Sequence, residues 1–277
     1  MKSCFHVLFK TIAPMFISAM LTAACQTVHT TQGGTVGVDR KQSMLVSSEQ
    51  VNQAAVSNYQ QVLSESRKKS ALNSSAAQSE RVRSIARRLI PQVGVFREDA
   101  TKWKWEVNVI ESDELNAWCM PGGKIAFYSG IIEKLKLTDE EIAAIMGHEM
   151  AHALREHARE RASQAMAAGL GVQVVGAAAG LGDVGMQLTS LLADYTFVKP
   201  NSRLHETEAD RMGVELAARA GYDPRAAIGL WKKMAQGSGG QPPQWMSTHP
   251  SHETRIKDLE NYSARVMPLY EKARTQH

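Results

Sequence analysis

Thr138-Asp139-Glu140-Glu141-Ile142-Ala143-Ala144-Ile145-Met146-Gly147-His148-Glu149-Met150-Ala151-His152 decides how this chain is read. Thr138 and Glu141 have the Thr-x-x-Glu spacing of a capping box, in which each side chain accepts a hydrogen bond from the other residue's backbone N–H. Ile142, Ile145 and Met146 follow at helical spacing. A helix is therefore predicted over 139–162. Residues four apart in it lie about 40° apart around the axis and one turn up, so His148 and His152 project the same way. Two imidazoles so placed can share one zinc ion. Glu149 lies about 100° round from His148. That position is poor for a third ligand, but the carboxylate can reach a water on the metal and accept its proton. Each fixed letter of His-Glu-x-x-His thus has a mechanical reason.

A catalytic zinc needs a third protein ligand and an open fourth position. A histidine six residues beyond His152 would make a metzincin-like site, but Ala158 stands there, and Arg155 fills the required glycine position. His157 falls on another face of a continuous helix and is expected to be solvated. Glu206-Thr207-Glu208-Ala209-Asp210 serves better. Glu206 and Asp210 share a helical face, so Glu206 can bind the metal while Asp210 accepts from the outer nitrogen of a ligating histidine. Glu208 and His205 are rival ligands. A purely structural zinc site is disfavoured, because three N/O ligands beside a base describe an open site.

His-Glu-x-x-His followed some fifty residues later by Glu-x-x-Ala-Asp resembles the gluzincin family of CAAX-prenyl-protease-like, Oma-like and HtpX-like zinc endopeptidases, in particular its bacterial periplasmic lipoprotein members. Asn116-Ala117-Trp118, Pro121-Gly122-Gly123, Leu137 to Glu141, Ser202-Arg203 and Thr248-His249-Pro250-Ser251 agree with it, over roughly residues 80–262. The resemblance implies His148, His152 and Glu206 as ligands of one zinc ion, Glu149 as general base and Asp210 as the partner of His148. It places His249 and Arg255 near the scissile bond. His249 could donate to the oxyanion of the tetrahedral intermediate, could occupy the fourth zinc position and hold the enzyme latent, or could be a turn residue before Pro250. Arg255 could pair with Asp210, Glu149 or the substrate.

The rest of the chain sets the frame. Its 277 residues carry 32 basic and 28 acidic side chains, a formal charge of +4, and a hydrophobic share of 43%. That composition excludes wholesale disorder, and the weak charge gives no reason to expect a nucleic-acid partner. Three cysteines cannot build a disulfide framework. Residues 1–24 read as a signal peptide, with Lys2 and Lys10 ahead of an apolar run. Small residues before Cys25 resemble a lipobox. Lipidated Cys25, followed by Gln26, would anchor the protein to the outer membrane from the bacterial periplasm. Residues 25–79 read as a lipid-anchored tether and an N-terminal helix from about Ser47 to Lys69, and residues 80–277 as the zinc metallopeptidase domain.

The expected fold is α+β: a predominantly helical zincin-like domain with a small β-sheet. Trp103–Val109 alternates as a strand, Lys124–Tyr128 is a second, and the second is expected to be the edge that pairs with an extended substrate. Ala162–Gly182 is uncharged but too rich in small residues for a confident membrane span, and reads as a close-packed helix. Gly237–Pro243 is a connector that could let the His249 segment move, His252 is expected at the surface, and Cys119 is expected to be inert. The predicted activity is zinc-dependent hydrolysis of misfolded or misassembled cell-envelope proteins, with outer-membrane assembly factors as candidate partners. The alternative is a latent periplasmic chaperone or assembly factor whose zinc site His249 gates.

Overall fold

Two helices that touch through glycines organise the structure, a computed structural model that describes residues 26–173, 182–236, 244–251 and 254–275. A short antiparallel pair, β1 (Gln26–Val28) and β2 (Gln42–Met44), opens the described chain. Helices α1 (Ser48–Lys68) and α2 (Ala76–Leu89) follow. Next comes a mixed sheet of β3 (Glu106–Ile110), β4 (Ala117–Met120) and β5 (Lys124–Tyr128). The remaining helices are α3 (Ser129–Lys134), α4 (Asp139–Leu154), α5 (His157–Gln173), α6 (Gly182–Phe197), α7 (Arg203–Arg219), α8 (Ala226–Gln236), α9 (Gln244–Thr248) and α10 (Arg255–Arg274). The helix-dominated α+β architecture is the expected one.

The capping box forms as predicted: Glu141 N–H donates to Thr138 Oγ1 at 3.3 Å, and Thr138 N–H to Glu141 Oε2 at 2.9 Å. Helix α4 is buried from Glu141 to Leu154. Ile142, Ile145, Met146, Met150 and Leu154 are fully enclosed by the sheet and by α2, α7 and α8. Each such side chain contributes about 1.5–3 kcal/mol, so α4 is a central core helix and its histidines are presented from a rigid base.

Helix α7 lies against α4 at Gly147 and Gly213. A Cβ on Gly147 would stand 2.8 Å from Gly213 O, and one on Gly213 would stand 2.8 Å from His148 N. Only two glycines let these backbones approach so closely, and the approach sets the distance from Glu206 to the histidines. Gly213→Ala is expected to destabilise the fold by about 1–3 kcal/mol through overpacking. It should also weaken zinc binding, read by metal titration beside thermal unfolding.

Three expectations are corrected. The strand Lys124–Tyr128 is not an edge: β5 is the middle strand, parallel to β3 and antiparallel to β4. Its short, wholly apolar core suits it to that double pairing, and the open edge near the site belongs to β4. The predicted helix 139–162 is broken. Arg155 ends α4, Glu156 takes φ 54°, and α5 restarts at His157. A non-glycine residue in the left-handed region costs about 1–2 kcal/mol. Three donors hold it there: Ser48 Oγ, Arg97 Nη1 and Arg159 Nη1 all bond the Glu156 carboxylate.

The third correction concerns the tether. From residue 26 onward the segment is a strap packed on the domain. Val36 and Val38 are buried, Gln32 N–H donates to Phe96 O, and the Thr35 and Val36 N–H groups donate to the fully buried Glu215 carboxylate. Between its two short strands the strap has no helical period, because backbone bonds, two valines and the side chains of Arg40 and Gln42, rather than an amphipathic face, fix it. The signal peptide, Cys25, the loop 237–243 and His252 lie outside the described residues. So does part of the uncharged stretch 162–182. No described helix is long and apolar enough to cross a membrane.

Candidate metal centre and active site

Helix α4 supplies His148 and His152, α7 supplies Glu206, and the residue after α9 is His249. One ligand atom from each lies within 4.8 Å of all the others, and all four side chains are buried. His148 Nε2 and His152 Nε2 are 3.0 Å apart. The Glu206 carboxylate stands 3.5 Å from the first and 3.4 Å from the second. His249 Nδ1 is 3.1 Å from His148 Nε2 and 3.0 Å from Glu206 Oε1. Ligands about 2.0–2.2 Å from a tetrahedral zinc are themselves about 3.3–3.6 Å apart. Three inward ring nitrogens and one carboxylate oxygen at this spacing fit one zinc ion.

Each ligand is held from behind. His148 Nδ1 lies 2.9 Å from Asp210 Oδ1, so Nδ1 carries the proton and Nε2 faces the centre. Arg255 is fully buried. It donates through Nη1 to Glu206 Oε2 at 2.8 Å and through Nη2 to Asp210 Oδ1 at 2.7 Å, and its guanidinium lies over the Trp231 ring at 3.6 Å. Of the three pairings open to it in sequence, the structure shows the one with Asp210 and adds Glu206. Burial opposes the charge of Asp210 and of Glu206. Arg255 and His148 nonetheless hold Asp210 below its ordinary range, and the surrounding histidines, His249 first, do the same for Glu206. Burial also opposes a charge on His148, but Asp210 and Glu206 outweigh it and raise its pKa to about 9.

Glu149 points to the same cavity. Its Oε1 accepts from Trp245 Nε1 at 2.7 Å and lies 3.4 Å from His249 Nε2. Trp245 is not legible in the sequence as a site residue: an aromatic two residues after a glycine- and proline-rich loop carries no recognisable spacing to Glu149. The cavity in front of Glu149 is about 40 Å³ and is lined by Trp118, Cys119, His152, Tyr195 and His249 among others. That holds a water but no peptide. Cys119 has the setting of an unreactive thiol: it is buried and bonds Met120 O, and burial, with Glu149 nearby, raises its pKa well above the ordinary value.

His157 is the largest surprise. It is buried, its Nδ1 lies 2.8 Å from His152 Nδ1, and its Nε2 lies 3.0 Å from Glu208 Oε2. The break at Glu156 turns His157 back toward α4, which a continuous helix could not do. Burial, reinforced by His205 and Arg155, keeps this imidazole neutral. The rival ligands are engaged elsewhere. Glu208 binds Arg40, Arg155 and His157, and His205 Nε2 meets Glu160 at 3.1 Å while its ring stacks on His157.

A His-Glu-x-x-His helix joined by a glutamate from a second helix, with a carboxylate behind the first histidine, defines a gluzincin-type zinc metallopeptidase domain. The profile of peptidase family M48 matches residues 76–263, and the chain belongs to that family. It is 34% identical over 179 residues to the mitochondrial metalloendopeptidase OMA1 of Bos taurus, covering 60% of this chain and 34% of that protein. It is 37% identical over 161 residues to the mitochondrial metalloendopeptidase OMA1 of Schizosaccharomyces pombe, covering 57% and 47%. It is 29% identical over 188 residues to the beta-barrel assembly-enhancing protease of Escherichia coli, covering 63% and 38%. The matches thus span a third to a half of these relatives' own length.

These relatives correct the expected location. The N-terminal reading pointed to the bacterial periplasm and an outer-membrane anchor. The OMA1 relatives of cattle, fission yeast, human, Arabidopsis thaliana and Saccharomyces cerevisiae are named as mitochondrial enzymes, and the bacterial relative is the less similar one. The periplasmic assignment is withdrawn.

Proposed function

We propose that this chain is a zinc-dependent endopeptidase acting on unfolded or misassembled polypeptides, with a resting site that His249 keeps closed. One observation carries the reading: Glu149, buried, lines the same small cavity as His152 and His249, two members of the buried group that His148 and Glu206 complete. His148, His152 and Glu206 would hold the ion. Bound zinc supplies Lewis-acid chemistry, which makes a water acidic enough to attack and polarises the peptide carbonyl. Glu149 takes the proton from the attacking water and passes it to the leaving amine. Trp245 aims the carboxylate by donating to Oε1. Asp210 and Arg255 fix the ligands behind it.

The substrate class rests on β4. Its outer edge pairs with no described strand and runs past Cys119 and Pro121 beside Glu149. An extended peptide laid along that edge is held by main-chain hydrogen bonds, which tolerate many sequences and require an unfolded segment. The similarity to the beta-barrel assembly-enhancing protease of Escherichia coli suggests β-barrel assembly as one source of such substrates and partners. The test is degradation of casein by protein holding one zinc per chain. Degradation should stop with a chelator and return with zinc. Persistence after full metal removal would overturn the reading.

The closed state rests on His249 Nδ1, which stands 3.1 Å from His148 Nε2 and 3.0 Å from Glu206 Oε1. His249→Ala should then raise casein turnover several-fold with zinc still bound. A fall of about a hundredfold would instead assign His249 to the oxyanion.

A further inference from the structure

We propose that Arg40, on the N-terminal strap, is a positioning residue for the metal ligand His152, acting through Glu208 and His157. The inference rests on the metallopeptidase reading but concerns a part of the chain that precedes the family match at residue 76.

The contacts form one unbroken line. Arg40 Nε donates to Glu208 Oε1 at 2.9 Å and Nη2 to Glu208 Oε2 at 3.2 Å. Glu208 Oε2 stands 3.0 Å from His157 Nε2. A carboxylate only accepts, so that ring nitrogen carries the proton. The other nitrogen of His157, Nδ1, faces His152 Nδ1 at 2.8 Å, a contact in which one ring donates and the other accepts. For His152 to present the Nε2 lone pair to the centre, its Nδ1 must donate and His157 Nδ1 accept. A ligating histidine needs such an acceptor to fix its tautomer and ring angle. For His148 that acceptor is Asp210. For His152 it is an imidazole, whose orientation depends on a carboxylate one step further out.

Arg40 is the closer of two cations that offset the charge of that carboxylate in a buried place. Its Nη1 and Nη2 also donate to Glu160 at 2.7 and 2.9 Å, so one guanidinium bridges the two glutamates. Glu160 holds His205, whose ring stacks on His157 at 4.2 Å. The strap cannot shift Arg40 alone. Gln42 Nε2 donates to Arg155 O and Glu160 Oε2, and Arg155 Nη2 donates to Arg40 O. Arg155 supplies a second cation to Glu208, but at 3.2 and 3.4 Å, and it is committed to Thr31 as well.

The test measures zinc affinity of the full chain by chelator competition, with metal-free melting temperature and the cobalt(II) visible spectrum as companions. Arg40→Ala and His157→Ala should each loosen zinc about 10–100-fold and weaken the tetrahedral cobalt bands. His157→Asn, which keeps an acceptor near His152 but loses Glu208, should recover part of the loss. Unchanged zinc affinity in the Arg40→Ala variant overturns the proposal, whatever His157→Ala does. So does a loss that tracks metal-free melting alone, with the cobalt spectrum of the loaded protein unaltered. If Arg40→Ala fails to fold, Glu208→Gln carries the same prediction. Failure of the peptidase reading looks different: casein activity would survive Glu149→Gln while these affinities still changed.

Discussion

Replacing Glu149 by Gln is expected to lower casein hydrolysis by about 10²–10⁴-fold, the share that a positioned general base contributes, while zinc content stays at one per chain. The substitution is close to isosteric. The amide oxygen of Gln can still accept from Trp245 Nε1, which stands 2.7 Å from the native Oε1, so the cavity keeps its shape. What it loses is the capacity to take a proton from water and return it to the amine. Glu149 is not among the four side chains whose ligand atoms converge, so metal binding should be spared. Turnover within tenfold of the parent, at full zinc loading, would remove Glu149 from the mechanism.

The second large effect falls on stability. Arg255→Ala should cost about 3–5 kcal/mol in denaturant unfolding of the metal-free protein, the usual penalty for stripping one partner from a buried ion pair. Glu206 is 0% and Asp210 6% exposed, so neither carboxylate can turn to water. Truncation also uncovers the Trp231 face. The loss should shrink in zinc-loaded protein, because the ion offsets the charge of Glu206. Arg255→Lys should fall between, since an ammonium cannot bond both carboxylates in a planar fork. Equal stability of the metal-free alanine variant would mean that the carboxylates find other partners or take up protons.

Much of the site could be read in the sequence, because its central parts obey local rules. The box at Thr138 and Glu141 and the four-residue spacing of His148 and His152 depend on one helix and its first turn. Glu206 and Asp210 depend on another. What the sequence hid is set by long-range contacts. The φ 54° turn at Glu156 is held by Ser48, Arg97 and Arg159, and no propensity in Leu154-Arg155-Glu156-His157 announces it. Without that turn His157 is a surface residue, which is how helical periodicity reads it. The strap misled for a related reason, since Thr, Gln and Gly in no pattern look like a linker until Glu215 and Phe96 accept their N–H groups. The position of β5 turned on strand order, which no single strand encodes.

The reach of Arg40 has a consequence for when the enzyme can first act. Its two carboxylate partners lie 120 and 168 residues further along the chain, and His249 and Arg255 come later still. Synthesis delivers the strap first and its partners last, and contacts of such sequence separation close late in folding. A partly made or partly folded chain therefore carries the His-Glu-x-x-His helix without Glu208 to orient the acceptor behind His152, the Glu206 ligand or the Arg255 clamp. Its hydrolytic centre comes into being as nearly the last event of its own folding, so an incomplete copy holds the signature helix without the assembled site.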